Sequence, residues 1–221
     1  MATPDEGIKG YYAARAPEYD NVYRKPERQA DLREIERWVR AKSAGARVLE
    51  IACGTGYWTQ FIAPAALEVT ALDAAPEVLA FARARVADRN VEFVVGDAYD
   101  PPRDAPFDFA FAGFWFSHVP KARQREFLTR LNAALRPGAR VVLLDNRYVE
   151  GSSTPVTERD ADGNSYQART LADGSAHRVL KNFPTEDELV ALVAGLGEHA
   201  AWKAWTYYWA FEYLTTQPRG R

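Results

Sequence analysis

Apolar and polar positions follow two different periods along this chain, and the switches between them mark its elements. In residues 27 to 40, ERQADLREIERWVR, Leu32, Ile35 and Val39 recur at helical spacing among charges, which predicts an amphipathic helix. Residues 47 to 52 form a short apolar run that predicts a buried strand. The chain then turns at Gly54 to Gly56, and a helix over residues 57 to about 63 is limited by Pro64. Residues 68 to 73, EVTALD, predict a second strand ending on an acid. Pro76 suits the first turn of the next helix, whose stripe is Val78, Leu79, Ala82 and Val86. Residues 91 to 97, VEFVVGD, predict a third strand, again ending on an acid, and residues 107 to 116, FDFAFAGFWF, a fourth. A helix over residues 121 to 135 puts Phe127, Leu128, Leu131 and Leu135 on one face and closes at Pro137-Gly138. Residues 140 to 145, RVVLLD, predict a fifth strand. Strands that are apolar on both faces and alternate with helices imply a parallel sheet covered on both sides.

After Asn146 the alternation stops. Residues 147 to 184 are polar, with Asp-Gly pairs at 162–163 and 173–174; SYQARTL and SAHRVL predict a β-hairpin. Thr185-Glu186-Asp187-Glu188 reads as a capping box, and Leu189, Leu192, Val193 and Leu196 as the stripe of the helix it opens. The aromatic tail, HAAWKAWTYYWAFEYLTT, predicts two closing strands. The expected organisation is one domain over 1–221. Residues 1–45 form N-terminal helices and a lid, 46–146 a core, 147–184 an insertion on the substrate side, and 185–221 a closing helix and strands.

Composition narrows the classes. With 28 Lys and Arg against 30 Asp and Glu, the net charge of −2 gives no footprint for a nucleic acid. Cys53 is the single cysteine, so no intrachain disulfide forms and a reducing compartment is the default. The first residues, MATPDEGIKG, read as neither a signal peptide nor a lipidation motif, and no apolar run reaches the roughly 20 residues that cross a bilayer. A cytoplasmic protein without nucleic-acid or membrane partners is expected, as monomer or homodimer.

The candidate chemistry sits in VLEIACGTGYWT, residues 48 to 59. A strand running into paired glycines lets a ligand approach the backbone closely. A phosphate-binding P-loop needs a lysine after the glycines, and none follows. A dinucleotide fold needs a third glycine at position 59, where Thr59 stands; this weakens that reading without removing it.

The stretch resembles the first motif of the class I S-adenosylmethionine-dependent methyltransferases, with Glu50 as its acid and Cys53-Gly54-Thr55-Gly56 as its turn. Asp73-Ala74 after the second strand, Asp97-Ala98 after the third, the segment FDFAFAGFWFSHVP and the turn LRPGARV resemble the family's later motifs in order, with Ala139 at the place of a second glycine. The resemblance covers about half of the chain. It implies a seven-stranded, mostly parallel, doubly wound α/β sheet with an N-terminal helical lid and a β-hairpin insertion. It also implies S-adenosyl-L-methionine as cofactor and methyl transfer to an oxygen or nitrogen of a small molecule.

By resemblance, Asp73 takes the ribose hydroxyls, Asp97 the adenine amino group, and Glu50 orients the methionine end. Cys53, Gly54, Gly56, Ala74, Ala98 and Phe114 line the cofactor, and Tyr19 closes over it. The plain alternative is a capping role for Asp73 and Asp97, a structural acid at Glu50 and a packing residue at Cys53. His118 is the candidate base, since imidazole titrates near neutral pH; the alternative is a histidine that only lines the site. Tyr12, Trp115, Tyr166, Arg169 and His177 are candidate substrate contacts, and an arginine pair, Arg169 and Arg178, could hold an acidic substrate. For each of these the alternative is core packing or a solvated hairpin face. Two other functions stay open: a nicotinamide-dependent oxidoreductase and a non-catalytic S-adenosylmethionine binder.

Overall fold

The computed structural model describes residues 16–103, 106–171 and 173–216. Among the described residues ten strands and five α-helices follow one another: α1 (Gln29–Lys42), β1 (Arg47–Ile51), α2 (Thr59–Ile62), β2 (Glu68–Asp73), α3 (Pro76–Arg85), β3 (Val91–Val95), β4 (Phe107–Gly113), α4 (Gln124–Asn132), β5 (Leu135–Asn146), β6 (Glu158–Arg159), β7 (Ser165–Thr170), β8 (Ala176–Leu180), α5 (Glu186–Val193), β9 (Gly197–Ala204) and β10 (Tyr208–Thr215). The main sheet has the order β3-β2-β1-β4-β5-β10-β9. Strands β1 to β5 are mutually parallel, and β10 is antiparallel to both β5 and β9. The expected seven-stranded, mostly parallel sheet is present.

Side chains alternate across the central strands, so both faces are apolar. Leu49, Ile51, Ala110, Ala112, Val141 and Leu143 pack with Phe127, Leu128 and Leu131 of α4 and Leu189 of α5. Val48, Phe109, Phe111, Val142 and Leu144 pack on the opposite face with Leu32, Ile35 and Val39 of α1 and Leu79 of α3. Each layer buries side chains that contribute about 1.5–3 kcal/mol apiece.

Strand order reverses beside β1, which pairs with β2 on one side and β4 on the other. Such a switch point opens a crevice at the C-terminal strand ends. In register, Ile51 stands opposite both Leu72 and Ala112. The turn after β1, Asp73 at the end of β2 and the segment after β4 therefore meet in one place.

Several expected boundaries change. The fourth strand stops at Gly113, not at 116, because Phe114 takes φ +60° and the chain leaves the sheet for a 3-10 turn over Phe116–His118. The expected helix over 121 to 135 divides into a 3-10 turn, Lys121–Arg123, and α4. Leu135 already pairs with Phe107, so it opens β5, and Pro137-Gly138 lies inside that strand at a register irregularity. The insertion is a three-stranded antiparallel sheet, β6-β7-β8, whose β7 and β8 are the expected hairpin. The two residues of β6 are too few to show a period. The capping box at Thr185 and Glu188 forms as expected, although α5 ends at Val193, short of Leu196. Among the described residues, no helix is long and apolar enough to cross a membrane.

Candidate active site

Asp73 ends β2 with its carboxylate facing the glycine turn. Its Oδ2 accepts from the Gly54 N–H (2.9 Å) and its Oδ1 from the Ala75 N–H (2.9 Å). These bonds hold the turn and the start of α3 together. An ionised carboxylate has about four acceptor positions, so each oxygen keeps capacity for another donor. Burial pushes the carboxyl up from its ordinary range, against the pull of those amides. Gly54 and Gly56 both take positive φ, +57° and +75°. At Gly56 an added Cβ would lie 3.2 Å from Ala82, so α3 packs against the bare backbone.

Glu50 lies behind the turn, fully buried in β1, and its Oε2 accepts from the Thr59 hydroxyl (2.7 Å). Burial, reinforced by Asp73 and opposed by that hydrogen bond, pushes its pKa up to about 8. Thr59 thus occupies the dinucleotide fold's third-glycine position with a side chain that holds Glu50. Asp97 is exposed and accepts from the Tyr99 N–H (2.9 Å), beside buried Ala98. Ala74 is half-buried between Asp73 and the helix start. Cys53 is buried, and burial, then Glu50 and Asp73, raise its thiol well above the usual value; it is an inert packing group.

The 3-10 turn Ala16–Tyr23 lies over this corner. Asp20 accepts from the Thr55 hydroxyl (2.7 Å) and pairs with Arg85 of α3, which also donates to the Thr55 carbonyl (2.8 Å). Tyr23 stacks on Tyr57 (ring centroids 3.4 Å) and on Phe114 (5.5 Å), and Phe114 stacks on Tyr208 (5.6 Å). The side chain of Tyr19 and the whole of Tyr12 lie outside the described residues. Tyr23 and the Tyr19-Asp20 pair belong to the N-terminal segment expected as a lid; Arg85 was not singled out by sequence, since one arginine on a charged helix face carries no local motif.

Phe114 also borders a cavity of about 410 Å³ between the N-terminal turns, the end of β5 and the insertion. Lys25, Arg28, His118, Arg169 and Lys181 line it too. His118 is 3% exposed, and its Nδ1 lies 2.6 Å from the Leu180 carbonyl. A carbonyl only accepts, so Nδ1 carries the proton and Nε2 the lone pair. Burial, then the Lys181 and Arg169 cations, hold its pKa well below the usual histidine value, outweighing Asp145 and the Leu180 bond. Arg28 is 5% exposed. It donates to Asn146 Oδ1 (2.8 Å) and Ser152 Oγ (3.0 Å), and its guanidinium sits over the Tyr207 and Tyr208 rings.

Of the expected substrate contacts, Arg169 lines this cavity and three do not. Trp115 packs edge-on against Tyr99 and Phe127 in the α4 layer. The Tyr166 hydroxyl donates to Asp160 (2.8 Å), with Arg178 over its ring. His177 Nε2 lies 2.8 Å from the Ser175 hydroxyl. Lys25, Arg28 and Lys181 were missed. Arg28 reads as one charge on a charged helix start. Lys181 could have been flagged as a cation closing an apolar strand.

Residues 48–138 match a family model described as methyltransferase domain. The solved structure of a DhpI–SAH complex is 30% identical, with a TM-score of 0.79; the match covers 96% of this chain and 97% of that one. An uncharacterized methyltransferase of Staphylococcus carnosus is 30% identical over 108 residues, 49% of this chain and 51% of the relative. Demethylmenaquinone methyltransferase of Staphylococcus aureus is 35% identical over 106 residues, 46% of this chain and 43% of the relative. The matched stretch is about half of the length of these curated relatives.

Proposed function

Because the chain belongs to the class I S-adenosylmethionine-dependent methyltransferases, with S-adenosylmethionine as its cofactor, we propose that it methylates an oxygen or nitrogen atom of a small molecule. One observation carries this reading: Phe114 belongs both to the aromatic stack beside the glycine corner and to the wall of the cavity. In this reading the donor and acceptor sites adjoin at Phe114, which supports a direct transfer between them.

The corner suits the cofactor chemically. Asp73 has acceptor capacity for two ribose hydroxyls, Asp97 an exposed carboxylate for an amino group, and Gly54 and Gly56 a backbone without side chains. Glu50 lies beneath the turn, where the cofactor's cationic end would favour its ionised form. Tyr19, Cys53, Ala74 and Ala98 complete the corner in this reading. When bound, S-adenosylmethionine supplies a methyl carbon that an acceptor lone pair attacks while the C–S bond pair returns to sulfur, giving S-adenosylhomocysteine.

The chain's own residues position the acceptor and take its proton. Holding two reactants in line can supply about 7–11 kcal/mol of the barrier. His118 offers the Nε2 lone pair as proton acceptor where the nucleophile is a hydroxyl or an amine. A cytoplasmic setting and the absence of a nucleic-acid partner agree with the single buried cysteine and the net charge of −2.

The test is incubation with methyl-labelled S-adenosylmethionine and a panel of phenols, carboxylates, phosphonates and amines, with products read by mass spectrometry. A labelled O- or N-methyl product confirms the reading. Tight binding of S-adenosylhomocysteine without a labelled product across the panel would favour a non-catalytic binder.

A further inference from the structure

The cavity beside Phe114 carries a charge imbalance that the chain as a whole lacks. Among the described residues its wall holds Lys25, Arg28, Arg169 and Lys181 and no Asp or Glu, although the whole chain bears −2. The Lys181 ammonium is neutralised from behind, pairing with Asp145 at 2.6 Å. Arg28 and Lys25 meet no carboxylate among the described residues. Arg28 donates to the neutral oxygens of Asn146 and Ser152, and Lys25 donates to the Ser152 carbonyl.

The Arg28 guanidinium is taken out of water and hydrogen-bonds only neutral acceptors; the acid near it, exposed Glu27, reaches it through the shared Ser152 hydroxyl, so desolvation is only partly offset. The fold accepts that cost and fixes the group's orientation as well. Asn146 anchors one arm and Ser152 the other, while Tyr207 and Tyr208 support the plane. Nη1 makes one bond to Asn146 and has a second N–H. A planar cation held this way is preorganised for an oxyanion, whose paired oxygens match its donors.

We propose that the methyl acceptor carries a compact oxyanion, a carboxylate, phosphate or phosphonate, seated in this cavity against Arg28 and Lys25 with Arg169 alongside. The proposal rests on the methyl-transfer reading above and names its substrate class. It also bears on His118. Burial, then Lys181 and Arg169, hold the imidazole neutral; an anion placed between these cations removes their share and makes Nε2 a stronger proton acceptor. The acceptor thereby helps to prepare its own base. A cavity of about 410 Å³ suits a small molecule, not a polyanionic chain.

The experiment is calorimetry on the full chain in two stages. S-adenosylhomocysteine is titrated first. The loaded protein is then titrated with inorganic phosphate, methylphosphonate, benzoate and, as the neutral control, phenol. At least one oxyanion should bind in the millimolar range or tighter, with phenol much weaker and the binding weakened by added salt. The phosphate and methylphosphonate arms against the benzoate arm decide between a tetrahedral and a planar anion. Arg28→Gln should weaken that oxyanion by about tenfold or more, and Arg169→Gln several-fold, with S-adenosylhomocysteine affinity within about twofold of wild type. Should Arg28→Gln not fold, as judged by circular dichroism, Arg169→Gln and Lys25→Gln carry the same test. Oxyanion binding that is absent, or unchanged in the folded variants, overturns the proposal and leaves the methyl-transfer reading intact. Failure of the wild-type protein to bind S-adenosylhomocysteine at the first stage overturns both.

Discussion

The Lys181 ammonium donates to the Asp145 carboxylate across 2.6 Å, with both side chains sealed from solvent. Lys181 follows β8 of the insertion and Asp145 lies near the end of β5, so this bond fastens the cavity's far wall to the sheet. Ser117 joins them, donating its N–H to Asp145 (3.1 Å) and accepting from Lys181 at its hydroxyl (2.6 Å).

Removing one partner leaves the other charge buried. Asp145→Asn should cost about 3–5 kcal/mol, and Lys181→Met a similar amount. The double variant should recover part of the sum, because it leaves no unpaired ion. Urea unfolding of all four proteins measures the coupling; additive losses would mean that the pair does not act as a unit. Burial pushes the Asp145 carboxyl up, but Lys181, His118 and its hydrogen bonds together bring it below the usual value. The stability from this pair is therefore present above the unfolded carboxyl range and is lost as pH falls through the lower folded value.

Glu50 behaves in the opposite sense. Its pKa is raised from about 4.5 to about 8, so the folded chain holds the proton more tightly than the unfolded one. That contribution is complete below about pH 4.5 and is lost as pH rises toward about 8. The cofactor-free protein should lose stability across this window, and Glu50→Gln should flatten the loss. Affinity for cationic S-adenosylmethionine should rise with pH over the same range in wild type only. Thermal melts and titrations at a series of pH values check both; an identical pH profile in Glu50→Gln would rule out Glu50 as the titrating group.

The latch of Asp20 on Arg85 and Thr55 holds the N-terminal turn over the corner. The ion pair is partly solvated and contributes about 1 kcal/mol. Asp20→Asn should speed amide exchange in residues 16–23 and raise the cofactor dissociation rate several-fold, with global stability nearly unchanged. Unaltered exchange would mean that aromatic stacking alone holds the segment.

Gly56→Ala places a Cβ at φ +75° and 3.2 Å from Ala82. Strain of this kind costs about 1–3 kcal/mol. A lowered melting temperature together with weaker S-adenosylhomocysteine binding is expected; a wild-type melting temperature would mean that the turn relaxes freely.

The sheet was legible in the sequence because its strands are buried on both faces. EVTALD and RVVLLD read as strands without reference to anything distant. Glu50, Asp73 and Asp97 were legible because each ends or precedes a turn at a strand terminus. The cavity was not. Arg28 and Lys25 meet Ser152 across more than a hundred residues of chain, and Lys181 meets Asp145 across 36. Such pairings arise from packing, and no local period encodes them. Tyr166 and His177 were expected to contact substrate because the insertion follows the C-terminal end of a sheet strand, whereas β7 and β8 turn these side chains onto partners within the insertion.

The most direct test of the methyltransferase account is calorimetric titration of the full chain with S-adenosylhomocysteine, with NADH in parallel and Asp73→Ala as the variant. The account predicts micromolar binding of S-adenosylhomocysteine, none of NADH, and affinity weakened more than about tenfold in a folded Asp73→Ala. Binding of NADH with none of S-adenosylhomocysteine would contradict it and assign the corner to a nicotinamide cofactor.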